Sequence, residues 1–600
     1  MIAIASVFAA TYSGLAATRI ALNPTSPPVA AANVAKLYVL GKGNVLEECQ
    51  AKLGLSLRPW SGKEYQDYRW VHKTGEAAAF RIGFPGRPEI DRVVLSIWDW
   101  HGQVVASQGF GRGPVDEVAT MTVDGYGTWL LTLDAYQGKE LRSRLLRGFS
   151  IVPDVAEARR EWRRRNDYFL GSCFFPRRYY RWPPWFYRDR APYPDLTAKD
   201  AVDRVVDLGA RCGLTVLRTD YFGCFPHKPT SRDDWRIQDE VYGLLRKHDM
   251  LADVKVQLFR DSFQGDTLEL NQKVFKRWAT DMDYLAEHLV KADNSSVFMV
   301  ELGNEPAHHE FWAGTREQYQ WLVNYGTKVF RAAKPDLPVV HGATCPPGAD
   351  LAMRKRENPE EYARVKAHQT EWYSAFYRDL APASQWWPYH FHGALTKDMT
   401  DWRKAEEEAL RQAGFTDRPL VQTEGGSCAW RPDREVTTWV EVMQKILHSW
   451  SQGERGWLQY SLVFHAKPGR NTDGNGWTLL HGYLLSPRFQ YGALAGMVRT
   501  MAGCTRNRIL LNQETDGKRT LLTLFNHPKG KLVTGFAQRG RTVIALRTDA
   551  RHAKLTDPMG NVVATPTGKQ LRLTLGPEPV YLLLEGATNV SLDLLRQEKP

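Results

Sequence analysis

Between residues 167 and 503 the chain repeats one pattern, a short apolar run followed by a longer amphipathic stretch. The runs fall at 168–173, 214–219, 252–258, 297–303, 338–343, 385–391, 419–423 and 457–463, so their starts are 46, 38, 45, 41, 47, 34 and 38 residues apart. Each interval holds one strand, one helix and their loops. Parallel strands covered on both faces read as near-continuous apolar runs, and the amphipathic stretches are the helices that cover them. Eight such units favour an α/β fold of the (β/α)8 TIM-barrel type over an open doubly wound sheet. Thr197-Ala-Lys-Asp200 is a capping box opening a helix over 198–211, and Gly213 is placed to stop it. No Gly-rich phosphate loop follows any of the strands, which disfavours a nucleotide cofactor.

The flanks read differently. Over residues 33–153, strand–turn–strand signals recur, as in Arg92-Val-Val-Leu-Ser-Ile-Trp98, the turn Asp99-Trp-His-Gly102, and Gln103-Val-Val-Ala-Ser107. This predicts an N-terminal β-sandwich ahead of a barrel over 160–505. Alternation returns over 507–586, with Thr520-Leu-Leu-Thr-Leu-Phe525 and Leu571-Arg-Leu-Thr-Leu575, and predicts a smaller C-terminal β-domain. The polar tail 587–600 is expected to be loose. Arg159-Arg-Glu-Trp-Arg-Arg-Arg165, between sandwich and barrel, is expected to be a solvated linker helix rather than a nucleic-acid site, although the net charge is +12.

Seven cysteines in 600 residues, with no C-x-x-C spacing, exclude a disulfide scaffold and zinc ribbons. Residues 1–18 carry no charge and end in Gly14-Leu15-Ala16-Ala17, a run suited to signal peptidase. A secreted or periplasmic location is expected, with no membrane span after cleavage; an uncleaved anchor of ~18 residues is the alternative. Oligomeric state is not legible.

In a barrel, polar residues at the C-terminal ends of strands line the active face. Glu305 follows the fourth strand in Val300-Glu-Leu-Gly-Asn-Glu-Pro306, and Glu424 follows the seventh in Leu420-Val-Gln-Thr-Glu-Gly-Gly-Ser427. Two carboxylates facing each other across a barrel mouth suit glycoside hydrolysis, one protonating the leaving oxygen while the other attacks the sugar or activates water. Tyr389-His-Phe-His-Gly393 ends the sixth strand. His390 and His392 share one side of it, and whether they face inward is left open. His390-x-His392 and His308-His309-Glu310 lack a third partner that would make a metal site, so no metal or organic cofactor is expected.

These motifs resemble clan A of the glycoside hydrolases, over roughly residues 167–503. Glu301-Leu-Gly-Asn-Glu-Pro306 is the most specific piece, and it looks most like the β-xylosidase/α-L-iduronidase and heparanase/β-glucuronidase families. The resemblance implies a retaining hydrolase with Glu305 as acid/base, Glu424 as nucleophile, Asn304 bonded to the sugar 2-hydroxyl, and Arg218, in Val216-Leu-Arg218, supporting the nucleophile. Glu305 then needs a carboxyl raised towards neutrality by burial and by the Glu424 charge, while Glu424 stays ionised. Glu301 reads as a buried structural carboxylate near Arg218.

The stretch 177–190 follows the first strand and mixes Tyr179, Tyr180, Trp182, Trp185, Phe186 and Tyr187 with five arginines. Rings stack on sugars and guanidiniums pair with carboxylate or sulfate, so an anionic glycan is one expectation and a packed irregular loop the other. Tyr221, Trp430 and Trp477 are further sugar platforms by position. A non-catalytic carbohydrate-binding protein and a transglycosidase are the competing functions.

Overall fold

The computed structural model describes residues 18–20, 37, 53–60, 70–74, 78–121, 123–176, 179–180, 197–220, 232–256, 268–287, 296–307, 311–312, 314–345, 358–392, 395, 397–427, 434–463, 478–480, 485–538 and 540–598. Eight parallel strands form the centre: β1 (Phe169–Phe174), β2 (Val216–Asp220), β3 (Leu251–Val256), β4 (Val297–Leu302), β5 (Val339–His341), β6 (Trp387–His392), β7 (Leu420–Gly426) and β8 (Gly456–Gln459). Consecutive strands pair with one another except β5 with β6, and β8 returns to β1 through Phe169↔Gly456. A bridge between Thr344 and Tyr389, with His390 N donating to Thr344 O at 2.7 Å, closes the ring between β5 and β6. The fold is the (β/α)8 barrel that the spacing predicts.

Why these segments form helices is visible at their ends. Thr197 caps the helix Ala198–Arg211 in a reciprocal box with Asp200, and Thr315 does the same with Gln318 for Arg316–Ala333. The barrel is filled, not hollow. Phe169, Cys173, Val216, Met299, Val340, Val421 and Leu458 interlock inside it, and the helices pack their apolar faces onto its outside.

A five-stranded and a three-stranded sheet, spanning Ser56–Pro59 to Glu140–Val152, enclose an N-terminal core that includes Phe80, Leu95, Leu131 and Phe149. This sandwich docks on the last barrel helix, Phe489–Met501, where Gly492 N donates to Thr128 Oγ1 at 3.2 Å. A six-stranded sheet, and a four-stranded one to which Thr18–Ile20 adds a strand, form the C-terminal domain from Thr505–Thr515 onward. Asn561 ties it to the sandwich by accepting from Tyr126 N at 2.6 Å and donating to Tyr126 O at 2.9 Å. Thr18–Ile20, at the end of the uncharged N-terminal run, pairs in parallel with Leu571, Arg572 and Leu573 of this domain.

Two expectations need correction. The tail is not loose: Val590–Glu598 is a strand antiparallel to Arg541–Thr548, and Val590 is buried in the C-terminal core. Its alternation of Val590, Leu592 and Leu594 with polar residues is the strand signal. Nor is the linker helix Ala156–Arg165 solvated throughout. Trp162 is buried, and buried Arg159 donates to Leu214 O, His248 O and Asp249 O, clamping the carbonyls beneath β2 and β3. Desolvation holds that guanidinium at about 10. A charge run can bury one face when carbonyls wait for it.

Candidate active site

The exits of β4 and β5 set the position of Glu305. Gly303 has φ +108° and Glu305 has φ +37°, a left-handed conformation that costs a non-glycine residue about 1–3 kcal/mol. The turn is held open by close packing, since a Cβ on Gly342 would come within 2.9 Å of both Asn304 N and Gly303 C. Tyr319 pins the two strand ends together, donating its hydroxyl to Leu302 O at 2.7 Å and accepting from Gly342 N at 2.6 Å.

Glu424 is positioned by an irregularity in β7. Tyr389 pairs with Gln422, and the next residue, His390, pairs with Glu424, leaving Thr423 as the extra residue of a bulge. The same stretch slips against β8, where Gln422 faces Trp457 and Gly425 faces Gln459. A bulge breaks strict alternation. Thr423 and Glu424 therefore both reach groups at the mouth of the barrel, and Gly425 follows because a Cβ there would meet the Trp457 ring at 2.5 Å.

Seven of the residues singled out in the sequence lie together. Buried Arg218 donates from Nη1 to Glu424 Oε1, from Nε to Glu301 Oε2 at 2.5 Å, and from Nη2 to Asn304 Oδ1 at 2.9 Å. His390 is fully buried, with Nδ1 at 2.5 Å from Glu305 Oε1 and Nε2 at 3.1 Å from Thr423 Oγ1. His392 Nε2 stands 3.7 Å from Glu424 Oε2. Both histidines therefore face the carboxylates. One oxygen of Glu305, one of Glu424 and a ring nitrogen of His392 lie within 4.8 Å of one another. Of the three side chains, Glu424 is already bonded to Arg218 and Glu305 to His390.

Electrostatics lowers both carboxylates, which for Glu305 is not what the sequence predicts. Burial pushes Glu424 up, but the His390 and Arg218 charges, the His392 hydrogen bond and Lys255 outweigh it and hold it well below the usual range. Burial also pushes Glu305 up, as does Glu424. The hydrogen bond and charge of His390 overcome both, so its carboxyl lies below the usual range instead of above it. The partner that reverses the expected direction is His390, whose orientation depends on strand register. Burial first, then the Glu301 charge, raises Asp253 well above the usual carboxylate range; it stands 3.7 Å from Arg218 Nε.

Tyr221, Trp182, Trp185, Trp430 and Trp477, and the triplet His308-His309-Glu310, lie outside the described residues. Of the loop aromatics, Tyr179 is buried and Tyr180 donates to Glu240 Oε1 at 2.6 Å, so these two brace the body of the protein. Sequence reasoning missed four neighbours of the site. Tyr460, at the end of β8, presents its ring edge-on to His392 at 5.6 Å. Cys345, after β5, lies 3.4 Å from the Tyr373 hydroxyl, and burial and the Glu305 charge push its thiol far up. Thr423 and Tyr319 are the others; their position at strand ends, or one turn into a capped helix, was the available signal.

Together these define a class, a (β/α)8 barrel carrying a close carboxylate pair at the C-terminal mouth and braced by two β-domains. No family model matches the chain, and no curated protein matches it. Among solved structures, the fold is similar to that of a family 39 glycoside hydrolase from the gut symbiont Bacteroides cellulosilyticus WH2, with 14% identity, 88% of this chain and 100% of that one covered, and a TM-score of 0.56. A GH39 β-xylosidase from Caulobacter crescentus aligns at 13% identity over 70% of this chain and 96% of its own, with a TM-score of 0.43. The family 30 xylanase Xyn30A from Clostridium acetobutylicum aligns at 9% identity over 71% and 96%, with a TM-score of 0.40. At 14% identity the first of these is a likeness of fold.

Proposed function

We propose that the protein is a retaining glycoside hydrolase acting on an oligo- or polysaccharide by double displacement. The observation that carries the reading is the carboxylate pair on β4 and β7, with oxygens within 4.8 Å and Arg218 bound to one member. Retaining pairs stand ~5 Å apart, whereas inverting pairs need ~6.5–9.5 Å to admit a water. Glu424, held ionised, attacks C1 as the C1–O bond breaks and its electron pair leaves with the aglycone oxygen. Glu305 delivers the proton to that oxygen. In the second half Glu305 takes a proton from water, which attacks C1 and releases Glu424. Asn304, held by Arg218, has its amide hydrogens to offer a sugar hydroxyl, and Tyr460 supplies a ring at the mouth.

The same reading favours an anionic glycan, because the five arginines of 177–190 are interleaved with aromatic residues at the exit of β1. It places the enzyme outside the cytoplasm, on the strength of the uncharged run 1–18. The test is product release from neutral, uronic and sulfated glycans and aryl glycosides by wild type, Glu305→Ala and Glu424→Ala. Cleavage by wild type and by neither variant supports the proposal and names the sugar. Activity that survives both substitutions overturns the assignment, and binding without cleavage favours a lectin-like role.

A further inference from the structure

The carboxylate of Glu301 lies beneath the cleft, one pleat deeper than Glu305, and is fully buried. Its two oxygens nevertheless lead to both ends of the chemistry. Oε2 accepts from Arg218 Nε at 2.5 Å, and Arg218 holds Glu424. Oε1 accepts from the Thr423 hydroxyl at 3.2 Å; Thr423 Oγ1 is 3.1 Å from His390 Nε2, and His390 Nδ1 is 2.5 Å from Glu305. We propose that Glu301 is a positioning residue that fixes where the acid proton of Glu305 resides, acting through Thr423 and His390. The inference rests on the glycosidase reading above.

The hydrogens along this path can be counted. A hydroxyl has one proton, and a carboxylate can only accept. With its proton committed to Glu301, Thr423 turns a lone pair to His390, so Nε2 must carry a hydrogen. The tautomer is then fixed, and Nδ1 is the one ring position free to gain or lose a proton. That atom faces Glu305. The pair holds one transferable proton, either as imidazolium and carboxylate or as imidazole and carboxylic acid, and both forms are neutral overall. Reversed, Thr423 would donate to Nε2 and Nδ1–H to a Glu305 carboxylate, leaving no acid proton and one more negative charge beside Glu424. An ionised Glu301 selects the first arrangement. It thereby keeps a proton on the acid side while the same side chain, through Arg218, keeps Glu424 without one. The bulge at Thr423 makes this possible, because regular alternation would point Thr423 and Glu424 to opposite faces.

During glycosylation the proton held between Nδ1 and Oε1 passes to the departing oxygen, and during deglycosylation a proton from water restores it. Other groups facing the pair are Glu424, His392 and Cys345, with Arg218 and Lys255 behind Glu424.

Leaving groups provide the test. An activated dinitrophenyl glycoside departs without acid help, whereas an alkyl or unsubstituted phenyl glycoside needs it. Thr423→Val keeps the shape and removes the hydroxyl; Thr423→Ser keeps the hydroxyl; Glu301→Gln can donate to Thr423 and so favours the reversed chain. For Thr423→Val and Glu301→Gln, kcat/KM on the poor leaving group should fall about 10- to 100-fold more than on the activated one, in the range that general acid catalysis contributes. The basic limb of the pH profile should move to lower pH, and Thr423→Ser should restore the ratio. Glu301→Gln should also slow the activated substrate, through Arg218. Equal losses on both substrates in Thr423→Val, or no restoration by serine, overturn this inference and leave the glycosidase reading intact. No cleavage of either glycoside by wild type overturns both.

Discussion

Replacing Arg218 by methionine deletes a charge while nearly keeping its length. In the native site that guanidinium is 1% exposed and is shared between Glu301 and Glu424. Burial lowers its own proton affinity, but the two carboxylates outweigh that and hold it well above the usual arginine value. Removing it strands two buried anions, with Glu424 left to His390, His392 and Lys255. Breaking a buried pair from one side costs about 3–5 kcal/mol. The sign of the pH dependence follows. In wild type Glu424 is depressed, so it contributes stability at neutral pH that is lost as pH falls below its unfolded value of ~4.3 towards its folded one. In Arg218→Met the stranded carboxylates are raised instead, and each gains ~1.4 kcal/mol per pH unit by taking up a proton. The deficit should therefore be largest at pH 7 and narrow towards pH 4.5. Urea midpoints of both proteins across that range measure it, with Arg81→Met as a control. The exposed Arg81–Asp116 pair should contribute little, because solvent screens it. A deficit below 1 kcal/mol at pH 7, or one that widens in acid, would refute the reasoning.

Two further perturbations probe other parts of the fold. Glu406 is buried among the Thr344 hydroxyl, the Trp387 indole and Tyr377, and burial raises it to about 7, so folding takes up a proton between ~4.3 and 7 and pays about 3–4 kcal/mol above that window. Glu406→Gln stays neutral and should raise the urea midpoint at pH 8 but much less at pH 5; an equal change at both values would contradict the burial argument. Gly342→Ala puts a methyl within 2.9 Å of the Asn304 backbone and should lower kcat about 10- to 100-fold with little loss of folding, measured on the hydrolysed glycoside beside circular dichroism.

The parts that the sequence announces are those governed by local pattern. All eight barrel strands lie where apolar runs recur, and Glu305 and Glu424 are legible because a barrel's strand ends are its active face. Arg218 and Asn304 are named by motif, but the contacts of Arg218 with Asn304 and Glu424 run across the barrel between strands that are not neighbours, so they follow from its closure. What stays hidden depends on register or on distant partners. The bulge at Thr423 decides that Thr423 bonds His390, and no composition rule marks it. The lowered Glu305 carboxyl comes from His390, 85 residues away. Arg159 looks solvated until the carbonyls of Leu214, His248 and Asp249 are brought beneath it. The strand at Val590–Glu598 was legible from its alternation, but its terminal position and polar composition masked it.

The most direct test of the central claim uses a 2-deoxy-2-fluoro glycoside with an activated leaving group, made for whichever sugar wild type hydrolyses. Its fluorine slows both steps, and its leaving group spares the first. Intact-protein mass spectrometry followed by peptide mapping should find one glycosyl group esterified to Glu424, and none in Glu424→Ala. Turnover without an adduct, or an adduct on Glu305 or elsewhere, would contradict the account.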